Sequence, residues 1–166
     1  TVADPDEMPI DVVPLDDERI AELIARFGGS RYASCPALAI EEGIDVRVGD
    51  YPVRCVIDAV LDTSGVPGLP PVTIVDWKTG RRPSAQQVAS RQFQLGLYRL
   101  AWSRATGTAM EDIAACFYYL GDDDPERREL HAGNMSEEQI ADYLRTHLPP
   151  AERSERRGCL LYTSPS

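Results

Sequence analysis

Val72-Thr73-Ile74-Val75-Asp76-Trp77-Lys78-Thr79-Gly80 is the stretch from which the rest of the chain is read. Four β-branched residues open it and Thr79-Gly80 close it. The segment before it, Ser64 to Pro71, is rich in Pro and Gly, so the pattern specifies a strand bounded by turns. The period of two puts Ile74, Asp76 and Lys78 on one face and Thr73, Val75 and Trp77 on the other. A carboxylate and an ammonium therefore leave the same face, side by side, at the C-terminal end of an apolar strand.

Upstream, Val53 to Leu61 forms a second apolar run with Asp58 inside it. A carboxylate in such a run is costly unless it is paired, hydrogen-bonded or bound to a cation. Before that run, Ile44, Val46 and Val48 alternate with Asp45 and Arg47, and Gly49-Asp50 supplies a turn, so the two runs are expected to pair as a hairpin. Earlier still, Asp16 or Asp17 can cap a helix. Its residues Ile20, Leu23, Ile24 and Phe27 make one apolar stripe, and Gly28-Gly29 ends it.

Downstream, Ser84 and Gln87 form a capping-box pattern ahead of a long helix. Phe93, Leu97 and Leu100 supply its buried stripe. Gln87, Arg91, Gln94 and Tyr98 line up as a separate polar stripe. Ile113 to Leu120 is short and rich in β-formers, which predicts a strand covered on both faces. An acidic turn at Gly121 to Pro125 and a short strand around Glu129 to His131 follow. Ser136 and Gln139 then cap a last helix carrying Ile140, Tyr143 and Leu144 on one side, stopped by Pro149-Pro150.

These elements predict an α/β fold, a small mixed β-sheet flanked by helices. The domain is expected over residues 15–150, with 1–14 as a lead-in and 151–166 as a tail outside the domain. Arg153 to Ser166 shows no periodicity and reads as adapter-derived sequence.

Composition narrows the function. The chain has 17 Lys plus Arg against 27 Asp plus Glu, a net charge of −10, and Lys78 is its only lysine. That balance argues against a free-standing domain that holds nucleic acid by bulk electrostatics. With a single lysine outside any glycine loop, a Walker A phosphate site is excluded, so no nucleotide site is expected. Cys35, Cys55, Cys116 and Cys159 form no CxxC pair, so neither zinc nor an iron–sulfur cluster is signalled and free thiols are expected. No apolar run is long enough to span a bilayer and no signal peptide is evident, which predicts a cytoplasmic protein.

Two carboxylates on adjacent strands with a lysine two residues after the second are the parts that phosphodiester hydrolysis uses. Mg²⁺ takes oxygen ligands and keeps several waters, so two carboxylates and a phosphate oxygen suffice to hold it. A bound metal activates water and neutralises phosphate charge, while an ammonium nearby can orient that water or offset developing charge.

Ile57-Asp58-Ala59-Val60, then Ile74-Val75-Asp76-Trp77-Lys78-Thr79-Gly80, then Gln94-Leu95-Gly96-Leu97-Tyr98 resembles the RecB-type branch of the PD-(D/E)xK nucleases. The similarity runs from about Glu41 to Leu148. It is greatest to the C-terminal nuclease domain of actinobacterial UvrD/REP-type, AdnAB-like helicase–nucleases. The resemblance implies a restriction-endonuclease-like core, with Asp58 and Asp76 as metal ligands, the Trp77 carbonyl as a further ligand and Lys78 as the catalytic lysine. It makes Gln94 and Tyr98 contacts to DNA or supports of the lysine. Arg81, Arg82 and Arg91 lie near the same end and are candidates for phosphate contacts or for solvated surface.

The resemblance also implies Mg²⁺, with Mn²⁺ able to substitute. Single-stranded DNA is the implied substrate, fed by a helicase motor in the same polypeptide or a partner subunit. The implied process is double-strand-break end processing and recombinational repair, at the bacterial nucleoid. Branch members usually carry a metal-ligating His upstream of the first Asp; here His131 and His147 both follow the motifs, so the chain reads as a fragment lacking its first nuclease helix. Glu41 or Glu42 could add to the metal shell or remain surface charge. The alternative function is a catalytically silent nuclease-fold module that guides DNA or braces a partner.

Overall fold

A computed structural model describes residues 16–148 and, for its backbone alone, the segment 161–163. The lead-in 1–14, Cys159 and the rest of the tail lie outside the described residues.

Helix α1 (Asp17–Gly28) starts at Asp16, whose carboxylate accepts the Arg19 N–H at 2.7 Å. Strands β1 (Ala37–Val48) and β2 (Tyr51–Asp62) form the expected antiparallel hairpin, with Gly49 at φ 60° making the turn. Strand β3 (Val72–Lys78) is followed by α2 (Ala85–Thr106) and β4 (Ile113–Tyr119), a β-α-β unit whose strands lie parallel and in register from Val72↔Ile113 to Lys78↔Tyr119. Strand β5 (Glu129–His131) pairs antiparallel with β4, and α3 (Glu137–His147) begins with the Ser136–Gln139 capping box foreseen from the sequence.

The sheet order is β1-β2-β3-β4-β5, a mixed sheet with the DWK strand at its centre. The larger core lies between the sheet, α2 and α3, with Ile57, Val60, Ile74, Leu97, Phe117 and Ile140 at its heart. A smaller core under α1 contains Leu23, Tyr32, Leu61, Val75 and Cys116. The split confirms the faces read from β3, since Ile74 belongs to the larger core and Val75 and Trp77 to the smaller. Strand β4 is buried on both sides, as its unbroken apolar run requires.

Two expectations are corrected. On α1 only Leu23 is buried; Ile20, Ile24 and Phe27 are 39%, 65% and 38% exposed. The helix is held by Leu23, by Phe27 edge-on to Trp77 at 4.5 Å, and by arginines that reach just past β4, with Arg26 donating to Leu120 O at 2.8 Å and Arg19 to Gly121 O at 3.3 Å. At α2, Ser84 is the N-cap residue but makes no side-chain cap; the Gln87 N–H takes the Ser84 carbonyl at 2.9 Å.

The two faces of β2 exchange part-way along the strand. Ile57 and Val60 share the larger core while Ala59 and Leu61 share the smaller, so the strand reverses its faces at Asp58. On β1, Glu41, between the paired residues Ile40 and Glu42, stands at φ 50°. In the tail, Leu161–Thr163, strand β6, runs parallel to β2 opposite Val53–Cys55. Strand β3 pairs with β2 only from Ala59 to Asp62, which leaves that backbone edge open to another strand.

Cys35, Cys55 and Cys116 are free thiols. Among the described residues, no helix is long and apolar enough to cross a membrane.

Candidate active site

Strands β2 and β3 separate just beyond the Ala59↔Val75 pair. The next residues are Asp58 and Asp76, so both carboxylates stand where the ladder opens. Asp58 Oδ2 accepts the Trp77 backbone N–H at 3.1 Å, so its side chain takes over a donor that the departing strand would otherwise satisfy.

Asp76 is fully buried. Tyr98, one of the polar-stripe residues of α2, donates its hydroxyl to Asp76 Oδ2 at 3.2 Å. The other oxygen, Oδ1, has no hydrogen-bond partner among the described residues and lies 3.9 Å from Lys78 Nζ. Burial pushes the Asp76 carboxyl up to about 9; the Lys78 ammonium opposes that rise and the adjoining Asp58 carboxylate adds to it. The Lys78 side chain is only 12% exposed, and its Nζ sits 5.1 Å from the centre of the Phe117 ring.

This set fits a divalent cation. A buried oxygen with no hydrogen bond, beside a second carboxylate, is a group whose charge is stabilised chiefly by a cation. Asp58, Asp76 and the Trp77 carbonyl supply hard oxygen donors of the type Mg²⁺ prefers.

Around the pair, α2 runs back from the end of β3, which places the helix's N-terminal half beside Lys78. Arg91 and Gln94 are both buried, two turns and one turn before Tyr98. Arg82 is half-buried, its backbone N–H bonded to Asp122 Oδ2 at 3.2 Å and its guanidinium donating to Glu129 O at 3.3 Å. Arg81 is exposed, with no hydrogen bond to it among the described residues. The structure thus gathers Asp58, Asp76, Trp77, Lys78 and Tyr98, flanks them with Arg91, Gln94 and Arg82, and leaves Arg81 at the rim.

Several contributors carry no motif. The β4–β5 connection braces the segment after Lys78, with Leu120 N donating to Lys78 O at 2.8 Å and Gly121 N to Gly80 O at 3.0 Å. Burial would raise the Asp122 carboxyl, but the N–H groups of Asp124 and Arg82, with Arg127, hold it below the usual range. Tyr119 stands opposite Lys78 in the parallel register, and burial pushes its phenol far up, with Arg91 and Asp76 the next largest influences. The only signal for these residues in the sequence is the acidic turn after the β4 run.

On the other side of the sheet, Cys116, Glu129 and His131 bring possible ligand atoms within 4.8 Å of one another. Glu129 Oε1 already accepts from Arg31 at 2.7 Å and Tyr32 at 2.7 Å and lies 2.8 Å from His131 Nε2, and burial pushes the Cys116 thiol up to about 12. A saturated carboxylate and a neutral thiol make this a hydrogen-bonded network under α1.

A family model of the PD-(D/E)XK nuclease superfamily matches residues 9–157. The chain belongs to this superfamily. No curated protein and no solved structure matches it. The strand order and the parallel β-α-β unit agree with the restriction-endonuclease-like fold, and the superfamily implies nuclease activity in general and generally uses divalent metals.

Proposed function

We propose that this PD-(D/E)XK domain is a RecB-type, metal-dependent deoxyribonuclease module of an AdnAB-like helicase–nuclease. The single observation that carries the reading is the convergence of Asp58, Asp76 and Lys78 where β2 and β3 part, with one oxygen of the buried Asp76 lacking a hydrogen bond among the described residues.

Asp58, Asp76 and the Trp77 carbonyl would hold Mg²⁺, for which Mn²⁺ would substitute. When bound, such a cation activates water and neutralises charge on the scissile phosphate. Tyr98 fixes the orientation of Asp76 through its hydroxyl, which is how outer partners commonly tune a metal site. Lys78, confined between Asp76 and the Phe117 ring, presents a compact ammonium to the attacking water and to the charge that develops on phosphate. Gln94 and Arg91 guide the strand beside it, with Arg81 at the rim.

The substrate of this reading is single-stranded DNA delivered by a helicase motor, in double-strand-break end processing. A net charge of −10 supports delivery by a motor, because the domain has little positive field with which to capture DNA alone. The test is cleavage of single-stranded DNA by the full chain with Mg²⁺ or Mn²⁺. Cleavage that is lost in Asp76→Ala and in Lys78→Ala is expected. Equal cleavage by wild type and Lys78→Ala would overturn the lysine's role, and absence of wild-type cleavage would leave the silent module that guides DNA.

A further inference from the structure

We infer that Tyr119 is a further catalytic residue of this site, its hydroxyl donating a hydrogen bond to a non-bridging oxygen of the scissile phosphodiester. The inference rests on the nuclease reading above and adds a residue that none of the three sequence motifs contains.

Position comes first. Strands β3 and β4 are parallel and in register, and Lys78 pairs with Tyr119. Paired residues of neighbouring strands project to the same face, as close neighbours. Here the shared face is the one toward α2, since Phe117 and Tyr119 both belong to the larger core and their ring centres are 6.2 Å apart. Lys78 Nζ lies over the same Phe117 ring. The lysine and the tyrosine therefore flank one aromatic floor beside the Asp76 carboxylate.

Bonding comes second. Tyr119 is 5% exposed, yet its hydroxyl oxygen is not one of the buried side-chain atoms that lack a partner, so the little surface it keeps includes its polar end. Among the described residues, no hydrogen bond to its hydroxyl is made, although its backbone N–H is satisfied by Arg128 O at 2.7 Å. The ring is used for packing and the polar end is left over.

The surroundings suit a phosphate. A neutral hydroxyl donates to an anionic oxygen without bringing a second charge that must be desolvated, and it complements Lys78 on the same group. Arg82 is anchored to the turn at Asp122 and to the Glu129 carbonyl on the adjoining β5, so the rim near Tyr119 is also cationic. A fixed donor of this kind contributes to rate when the oxygen gains charge in the transition state.

Tyr119→Phe keeps the ring and removes the hydroxyl. In the full chain with Mn²⁺ and a single-stranded oligonucleotide, the variant is expected to cleave about 100-fold more slowly, with KM and the Mn²⁺ titration unchanged. A non-bridging phosphorothioate at the cut supplies a readout that packing alone does not move. Sulfur accepts the hydrogen bond poorly, so one diastereomer should slow the wild type more than it slows Tyr119→Phe. A variant within twofold of wild type overturns the inference, and so does a slower variant whose sulfur effect equals that of wild type. If wild type cleaves, Lys78→Ala does not and Tyr119→Phe cleaves normally, only the tyrosine assignment fails. If wild type does not cleave, the nuclease reading fails and this inference falls with it.

Discussion

Tyr98 reaches from α2 to β3 and donates to Asp76 Oδ2 at 3.2 Å, and both side chains are fully buried. The helix thereby sets the orientation of the carboxylate through one hydroxyl. Tyr98→Phe leaves a buried carboxylate oxygen without its donor, which costs about 1–3 kcal/mol of stability. Loss of an outer partner typically weakens metal affinity about 10- to 100-fold. Chemical denaturation and calorimetric titration with Mn²⁺ measure the two effects. An unchanged titration in a folded variant would mean that Tyr98 merely packs.

Gly121 is required by space. A Cβ at this position would collide with the Thr79 carbonyl oxygen and would lie 2.7 Å from the backbone carbon and oxygen of Gly80, and backbone cannot swing aside as a side-chain tip can. Gly121→Ala must therefore push the Lys78–Gly80 segment away from β4, at a cost of about 1–3 kcal/mol. Gly96 is the control, because a Cβ there meets the Ile140 side chain at 3.6 Å, an ordinary contact, inside a helix where Ala is favoured over Gly by roughly 0.5–1 kcal/mol. Denaturation curves should show Gly121→Ala less stable and Gly96→Ala at least as stable as wild type, with cleavage reduced only in the former.

Much of this architecture is written in local patterns. Strand β3, its two faces and the hairpin turn at Gly49 follow from alternation and turn chemistry, and the α3 cap follows from Ser136 and Gln139. Asp58 was conspicuous because an acid inside an apolar run needs a partner. Its placement was not legible, since strict alternation would put Ile57 and Val60 on opposite faces and the strand reverses there. Periodicity likewise marks α1 as amphipathic without saying what covers the stripe, and Ile24 remains 65% exposed. The network under α1 was invisible for a different reason: Tyr32 and Glu129 are 97 residues apart, and only the sheet order brings them together.

That network makes stability depend on acid. Burial raises the Glu129 carboxyl, but hydrogen bonds from His131, Arg31 and Tyr32 outweigh it and bring the group down to about 2 from an ordinary 4.5. A depressed carboxylate stabilises the fold fully above its unfolded value, and the contribution is lost as pH falls from about 4.5 through about 2. Glu129→Gln should therefore melt below wild type at neutral pH. The gap should close as pH drops through that window. Melting curves at several pH values check this, and a gap independent of pH would assign the loss to packing alone.

Lys78 is the chain's only lysine, and its surroundings explain why an arginine would serve poorly. The side chain is 12% exposed, its nitrogen lies 3.9 Å from Asp76 Oδ1, and the Phe117 ring closes one side at 5.1 Å. An ammonium is compact and can turn its three donors toward water, phosphate and carboxylate. A guanidinium is planar and larger, and it pairs with a carboxylate through a fixed fork. In Lys78→Arg the larger planar group would engage Asp76 side-on through two N–H groups and occupy the oxygen that the metal needs. The variant should keep its melting temperature within a few degrees and lose cleavage of single-stranded DNA by about 100-fold or more, the scale on which a misplaced electrostatic donor acts. Measured Mn²⁺ affinity should also fall, because the guanidinium opposes the cation at Asp76. Full cleavage in the arginine variant would show that positive charge alone is sufficient at this position.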